Sequence, residues 1–282
     1  MSIFSPARIR AFLDRVGYPL EPDHLPAASG ELLHGLHWAH LQTVPFENLD
    51  IVRLGRAIRL EPAALYGKIV GERRGGYCFE VNGLLAVVLA DLGFRVRRVM
   101  VRFVQEDGNL SAAFDHLALI VSVPGDDGAP WLVDVGSGRS AFARPLRMMA
   151  DLEQHQPEVD TNYRLTRDAV EDRWVLHTKV GEADWAPWYT FDEAERELAE
   201  FADRNAFFQT DDASPFRQGP LTTRSRPGGR VTATGDRLIE TVAGVRSERE
   251  VTPGELDALL ASEFGIVLTA PAADPSIPDE AR

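Results

Sequence analysis

The chain has 282 residues, 44% hydrophobic and 26% charged, with 30 Lys and Arg against 43 Asp and Glu for a formal charge of −13. That is globular composition with enough length for two domains or one large composite unit, and it excludes a disordered, collagen-like or membrane-spanning chain. The acidic balance argues against nucleic acid or an anionic membrane as partner, because the long-range field repels phosphates. A lone cysteine, Cys78, excludes an intrachain disulfide and a Cys-based zinc cage. Met1–Pro6 carries no basic segment followed by an apolar run, so no signal peptide is expected, and a cytoplasmic protein is the simplest reading.

In chain order, residues up to Gly93 read as helical. Ser5 and Pro6 make an N-cap and a first helical position, Ile9, Phe12, Leu13 and Val16 follow at helical spacing, and Gly17 closes the turn. A second helix is expected over Glu31–Leu41. A third starts near Pro62 and carries Leu65 and Ile69. A fourth follows Cys78 and ends at Gly93; its apolar residues surround much of its surface, which predicts a central, buried position. From Phe94 the pattern becomes strand-like. Candidate strands are 95–97, 99–104, His116–Val123, Trp131–Val135, 163–165, 174–176 and 188–190, an array that predicts an antiparallel sheet or barrel. A helix is expected over Glu193–Ala202, then short strands and a helix over Pro253–Phe264. The Pro-, Asp- and Ala-rich residues 271–282 are expected to form a disordered tail. No internal repeat is evident.

Cys78 sits in the run RRGGYCFE, where a Gly-Gly turn delivers it to a helix start. The partial positive charge and free N–H groups of a helix N-terminus favour thiolate, the nucleophilic form. The competing reading is a small buried hydrophobe. A reactive thiol needs an imidazole and an orienting acid. His34, His37 and His40 recur on one helix without a carboxylate or cysteine at ligand spacing, so a polar or half-buried helix face is favoured over a metal site. His24, His155 and His177 have no partner pattern. His116 heads the apolar strand LALIV, and Asp134 is a carboxylate inside WLVDVG, where a buried acid must be paired. Spacing alone leaves open whether these two meet or are unrelated strand-end residues.

The order Cys78, His116, Asp134 in RRGGYCFE, HLALIV and WLVDVGSG resembles the arylamine N-acetyltransferases. The resemblance runs over about residues 5–270. It includes VPFENLD at 44–50, Asn205 with FFQT at 207–210 and SPF at 214–216, and the ending around EFGI at 263–266. It implies an α+β fold in three parts: a helical N-terminal bundle over 1–93 carrying the nucleophile, an antiparallel β-barrel over 94–192 carrying His and Asp, and an α/β lid over 193–270. It implies a triad arranged as in cysteine proteases, with Cys78 the acyl-accepting nucleophile, His116 its base and Asp134 orienting His116. Glu47 and Arg74 match an ion pair under the active-site turn. Ala112, Ala113 and Phe207 fall where the family contacts coenzyme A, and Phe46, Ser137 and Phe216 fall around the acceptor pocket. Many family members carry Phe where this chain has Ser137, so a smaller, more polar pocket wall is expected.

The implied reaction moves acetyl from acetyl-coenzyme A, a co-substrate, to an arylamine or arylhydrazine through an acetyl-cysteine in ping-pong order, as in xenobiotic metabolism, with no permanently bound cofactor and no metal. Arg95, Arg97, Arg98 and Arg102 are candidates for a local basic surface toward the anionic donor; a solvated strand face is the competing reading. Three other functions stay open: a cysteine protease or transglutaminase using the same triad, a biosynthetic amide synthase of the same fold, and a non-catalytic binding protein. The amine, the preferred acyl chain and the oligomeric state are not encoded in these motifs.

Overall fold

A computed structural model describes residues 2–21, 24–138, 142–242 and 244–268. The expected tail at 271–282 lies outside them. The N-terminal part contains α1 (Pro6–Arg15), α2 (Gly30–Thr43), α3 (Pro62–Tyr66) and α4 (Cys78–Asp91). Ser5 caps α1 by accepting the Arg8 N–H, and Ser29 caps α2 by accepting that of Leu32. The helix expected to run through Ile69 instead opens after Tyr66 into a wide turn, Gly67–Gly71, closed by Glu72 N–H on Gly67 O at 2.8 Å. This unwinding carries Lys68 inward to a buried ion network. The apolar girdle of α4 meets neighbours on every side: α1, α2 and α3 pack around it, and Leu119, Val121 and Val133 of the adjoining sheet complete the cluster.

Among the described residues, eight antiparallel strands form one strongly curved sheet. They are β2 (Arg95–Phe103), β3 (His116–Ser122), β4 (Trp131–Val133), β5 (Leu146–Arg147), β6 (Glu153–Gln156), β7 (Thr161–Asp168), β8 (Arg173–Val180) and β9 (Ala186–Phe191), ordered β5-β4-β3-β2-β9-β8-β7-β6. The edges β5 and β6 meet through side chains. Gln154 bonds both the N–H and the O of Arg147, and Gln156 does the same for Arg144, so two amides substitute for a ladder and nearly close a barrel. Strand β3 is buried on both faces, Leu119 and Val121 toward the helices and Ala118 and Ile120 toward the barrel interior, which explains its unbroken apolar run.

The segment expected to be helical over Glu193–Ala202 is extended as far as Glu197. Its backbone is used elsewhere: Glu193 O accepts from Arg97, Asp192 accepts the Ala194 N–H, and the Arg196 N–H bonds Arg98 O. A short 3-10 turn, Leu198–Phe201, leads into α5 (Ala202–Thr210). Then come β10 (Leu221–Arg226), β11 (Gly229–Thr234), β12 (Arg237–Val242) and β13 (Val245–Glu250), a meander closed on one face by α6 (Pro253–Phe264). Strand β1 (Phe46–Glu47) pairs antiparallel with β10, so this C-terminal sheet is anchored to the N-terminal part beside the Cys78 turn.

Candidate active site

Cys78 is the first residue of α4, and the loop before it is held from two sides. A Cβ on Gly75 would lie 1.8 Å from Pro45 O, so only glycine admits this approach. Glu80 reaches back to accept the Tyr77 N–H at 3.1 Å, capping the helix. Beneath the turn, Arg74 pairs with Glu47 at 2.8 Å, as expected, and also with Asp50 at 3.0 Å. Lys68 Nζ lies 2.8 Å from Asp50 and 2.7 Å from Glu80, and Arg56 reaches Asp50 at 3.1 Å. Three carboxylates thus meet three cations. Burial works against the Lys68 ammonium, but Glu47, Glu80 and Asp50 outweigh it and raise its pKa. Burial dominates at Glu80, pushing it up to about 7 against the opposing charge of Lys68.

The triad is assembled from three elements. Register pairs Ile120 with Leu132; carried one residue past the end of β4, it sets Asp134 opposite Ala118, two residues from His116. His116 Nε2 lies 2.8 Å from Asp134 Oδ2, and the imidazole also bonds Cys78. All three are buried, at 3%, 2% and 0% exposure in chain order. Burial opposes a charged imidazole here, yet the Asp134 carboxylate, its hydrogen bond and Cys78 overcome that and raise the His116 pKa. Rings of Phe103 and Tyr189 flank the imidazole at 5.3 and 6.1 Å.

Two residues outside the expected set hold Asp134. Asn82, one helical turn beyond Cys78, donates to Asp134 Oδ1 at 2.9 Å and to Leu117 O at 2.7 Å, and accepts the Val135 N–H at 3.0 Å. One amide therefore ties α4, β3 and the end of β4 together. The four-residue spacing from Cys78 was the only sequence signal for it. His37 is fully buried, stacks on Phe142 and faces Ala143 O at 3.1 Å through Nδ1; its Nε2 accepts the Asp134 N–H at 3.4 Å. Burial lowers its pKa to about 4, which keeps Nε2 an acceptor. The expected polar or half-buried face of α2 is thus corrected. His37 and His40 are buried, and only His34 is half-buried, against the Trp131 ring. Among the described residues no group of three or more His, Cys, Asp or Glu side chains could hold a metal ion.

A cavity of about 530 Å³ opens at Cys78 and His116. Phe46, Phe103, Phe208 and Phe216 line it, together with Thr223, Thr232, Thr241, Arg230 and Arg246 from one face of the β10–β13 meander. Phe46, Ser137 and Phe216 therefore share one space with Cys78 and His116. Ser137 Oγ is buried with no partner among the described residues. Ala112 and Ala113 lie exposed in the turn before β3, and Phe207 lies under the Arg204 guanidinium at 4.1 Å; none of these three lines the cavity. The four arginines of β2 do not form one surface. Arg97 pairs with Glu193, Arg102 donates to Ser111 O at 2.6 Å, Arg95 is exposed and Arg98 faces a different cavity.

A thiol, an imidazole and a carboxylate in series at the foot of an aromatic cavity define a cysteine-nucleophile enzyme of the acyl-transfer class. Residues 31–273 match the N-acetyltransferase family. The arylamine N-acetyltransferase / N-hydroxyarylamine O-acetyltransferase of Salmonella typhimurium is 34% identical over 239 residues, covering 84% of this chain and 82% of that one. The arylamine N-acetyltransferase of Escherichia coli is 33% identical, covering 85% and 83%. Among solved structures, arylamine N-acetyltransferase from S. typhimurium superposes with a TM-score of 0.83 at 30% identity, over 98% of this chain and 96% of that one. The Mycobacterium marinum enzyme in complex with CoA gives 0.81 at 32%, over 92% of each. The chain belongs to the arylamine N-acetyltransferase family and is an acetyltransferase. No helix among the described residues is long and apolar enough to cross a membrane.

Proposed function

We propose that the protein transfers acetyl from acetyl-coenzyme A to the nitrogen of an arylamine or arylhydrazine, in the cytoplasm and in ping-pong order. The observation that carries this is the junction of Cys78, His116 and Asp134 at the foot of an aromatic-walled cavity of about 530 Å³. Cys78 Sγ attacks the thioester carbonyl as His116 takes up the thiol proton. The C–S bond to coenzyme A breaks, and His116 returns that proton to the departing thiolate. The acetyl-cysteine that remains is itself a thioester, so the first half-reaction is nearly isoenergetic. The amine then attacks the same carbonyl, His116 accepts its proton, and the proton passes to Cys78 Sγ as it leaves. Asp134 holds Nε2 and stabilises the imidazolium in both halves.

Chemistry favours aromatic amines before any contact is counted. An arylamine is neutral at pH 7, whereas an alkylamine resembling lysine, with a pKa of about 10.4, has almost no free lone pair. Phe46 and Phe216 supply faces for the ring, and the small Ser137 leaves room for a multi-ring acceptor. Residues 1–93, 94–192 and 193–270 each supply a wall of the site. We assign the turn at Ala112–Ala113 and Phe207 to coenzyme contact beyond the cavity.

Acetyl-coenzyme A alone should add one acetyl group to the intact chain, on Cys78, and Cys78→Ala should abolish both this and transfer to an arylamine. Acetylation surviving in the variant, or initial-rate lines that intersect instead of running parallel, would refute the reading.

A further inference from the structure

A second cavity, of about 610 Å³, lies between the 58–62 loop, Leu198, α5 and Arg98 of β2, and shares no lining residue with the first. Its volume falls in the range of small-molecule sites, about 300–1,000 Å³. Ile58, Leu60, Pro62, Leu198 and Ala202 make its walls apolar. Arg59, Glu61, Glu197 and Asn205 also line it, as does Arg98. Its Nε is buried without a hydrogen bond, and its guanidinium pairs with no acid among the described residues. Two acids share the lining, Glu61, which pairs with Arg59 at 3.4 Å, and Glu197, whose backbone N–H is capped by Glu200; neither forms an ion pair with Arg98. A half-buried guanidinium with an unbonded Nε and no ion pair is costly unless an anion completes it.

The walls also reach the nucleophile's support. Asn205, which lines this cavity, accepts a hydrogen bond from the Tyr77 hydroxyl and donates to Ile58 O at 3.1 Å, and Tyr77 directly precedes Cys78. Leu198 packs beside Gly83 of α4.

We propose that this cavity is a second ligand site, for a small amphipathic carboxylate whose head pairs with Arg98 and whose apolar body lies along Leu60, Pro62 and Leu198, and that its occupant alters the setting of Cys78. The binding half does not depend on the transfer reaction. Calorimetric titration of the full chain with sodium octanoate should show one site. Octan-1-ol and octylamine, which lack the anion, should bind roughly tenfold or more weaker, as should octanoate to Arg98→Gln. Ala202→Phe, which fills the recess and leaves Arg98 in place, should abolish binding and serves if Arg98→Gln does not fold. Blocking the first cavity with N-phenylmaleimide on Cys78 should change octanoate affinity by less than about twofold, a shift well under 1.4 kcal/mol. At saturating octanoate the iodoacetamide alkylation rate of Cys78 should change at least about threefold, that is by at least about 0.6 kcal/mol, in wild type and not in Ala202→Phe. Octanoate binding that is absent, unaltered by Arg98→Gln and Ala202→Phe, or lost on maleimide treatment overturns the site. Saturation with an unaltered alkylation rate overturns the coupling.

Discussion

Asn82→Ala removes a side chain that touches neither substrate nor thiol, so its effect isolates the positioning of Asp134. Two buried backbone groups, Leu117 O and Val135 N–H, lose their amide partner, and Asp134 Oδ1 keeps only the Gly136 N–H, at 2.9 Å. At about 1–3 kcal/mol for each of the two buried groups left unpaired, the cost is about 2–6 kcal/mol, below the middle of a typical stability of about 5–15 kcal/mol, so the variant should fold. With one anchor gone, the carboxylate can swing from His116 Nε2, and a displacement of about 1 Å in a reacting array costs on the order of 100-fold. Single-turnover acetylation of Cys78, followed by release of free coenzyme A, should therefore slow about 10–100-fold. Asn82→Asp separates positioning from bulk. The new carboxyl faces Asp134 Oδ1 at the old 2.9 Å contact, where two carboxylates cannot both ionise and must share a proton. That shared proton can imitate the amide donor, so activity should be retained at acid pH and fall as the proton is lost, a limb absent from wild type. A folded Asn82→Ala acetylated within about twofold of the wild-type rate, far short of the cost expected for a misplaced group, would refute this reasoning.

Three further perturbations follow. A Cβ on Gly136 would sit 2.7 Å from both Cys78 Cα and Asn82 Nδ2, so Gly136→Ala should push the Asp134 segment off α4, costing about 1–3 kcal/mol in urea unfolding and most of the acetylation rate. Lys68→Met strands Glu80 beneath the Cys78 turn, leaves Glu47 and Asp50 to Arg74 and Arg56, and should cost about 3–5 kcal/mol by chemical denaturation. His37 and His40 are held neutral by burial, with pKa values lowered to about 4 and about 3. The unfolded chain binds protons there first, so stability is lost as pH falls below about 6.5, by about 2 kcal/mol per histidine at pH 5. Both His40 ring nitrogens lack a partner among the described residues, so His40→Leu should raise stability at pH 7 by about 1 kcal/mol and halve the acid loss, read from melts at pH 7 and 5.

Much of the fold could be read in the sequence where one periodicity sufficed. Ser5 and Pro6 mark the start of α1, the all-round apolar surface of α4 marks its central place, and the run after His116 marks a strand buried on both faces. The expected helix over Glu193–Ala202 failed because its residues have helix-compatible side chains but spend their backbone groups on the edge of β2, through Arg97 and Arg98 O. Strands β5 and β6 went unread because they are short and polar, and two glutamines join them without apolar alternation.

The triad was nominated by residue type and order, but its assembly depends on register, which local patterns do not encode. Only the pairing of Ile120 with Leu132 puts Asp134 two residues from His116 and not on the opposite face. The supports were less legible still. Asn82 and His37 lie 52 and 97 residues from Asp134, and each acts through groups that look ordinary in isolation: an amide on an apolar helix and a histidine among three on another. Their roles follow from a constraint the sequence does not display. Asp134 is fully buried, so both of its oxygens and its backbone N–H need partners. The His116–Asp134 bond uses one oxygen, and the elements that satisfy the rest have to be those already packed against β4, which are α4 and α2. Geometry of the neighbours therefore selects the supporting residues, and a sequence search for catalytic types passes over them.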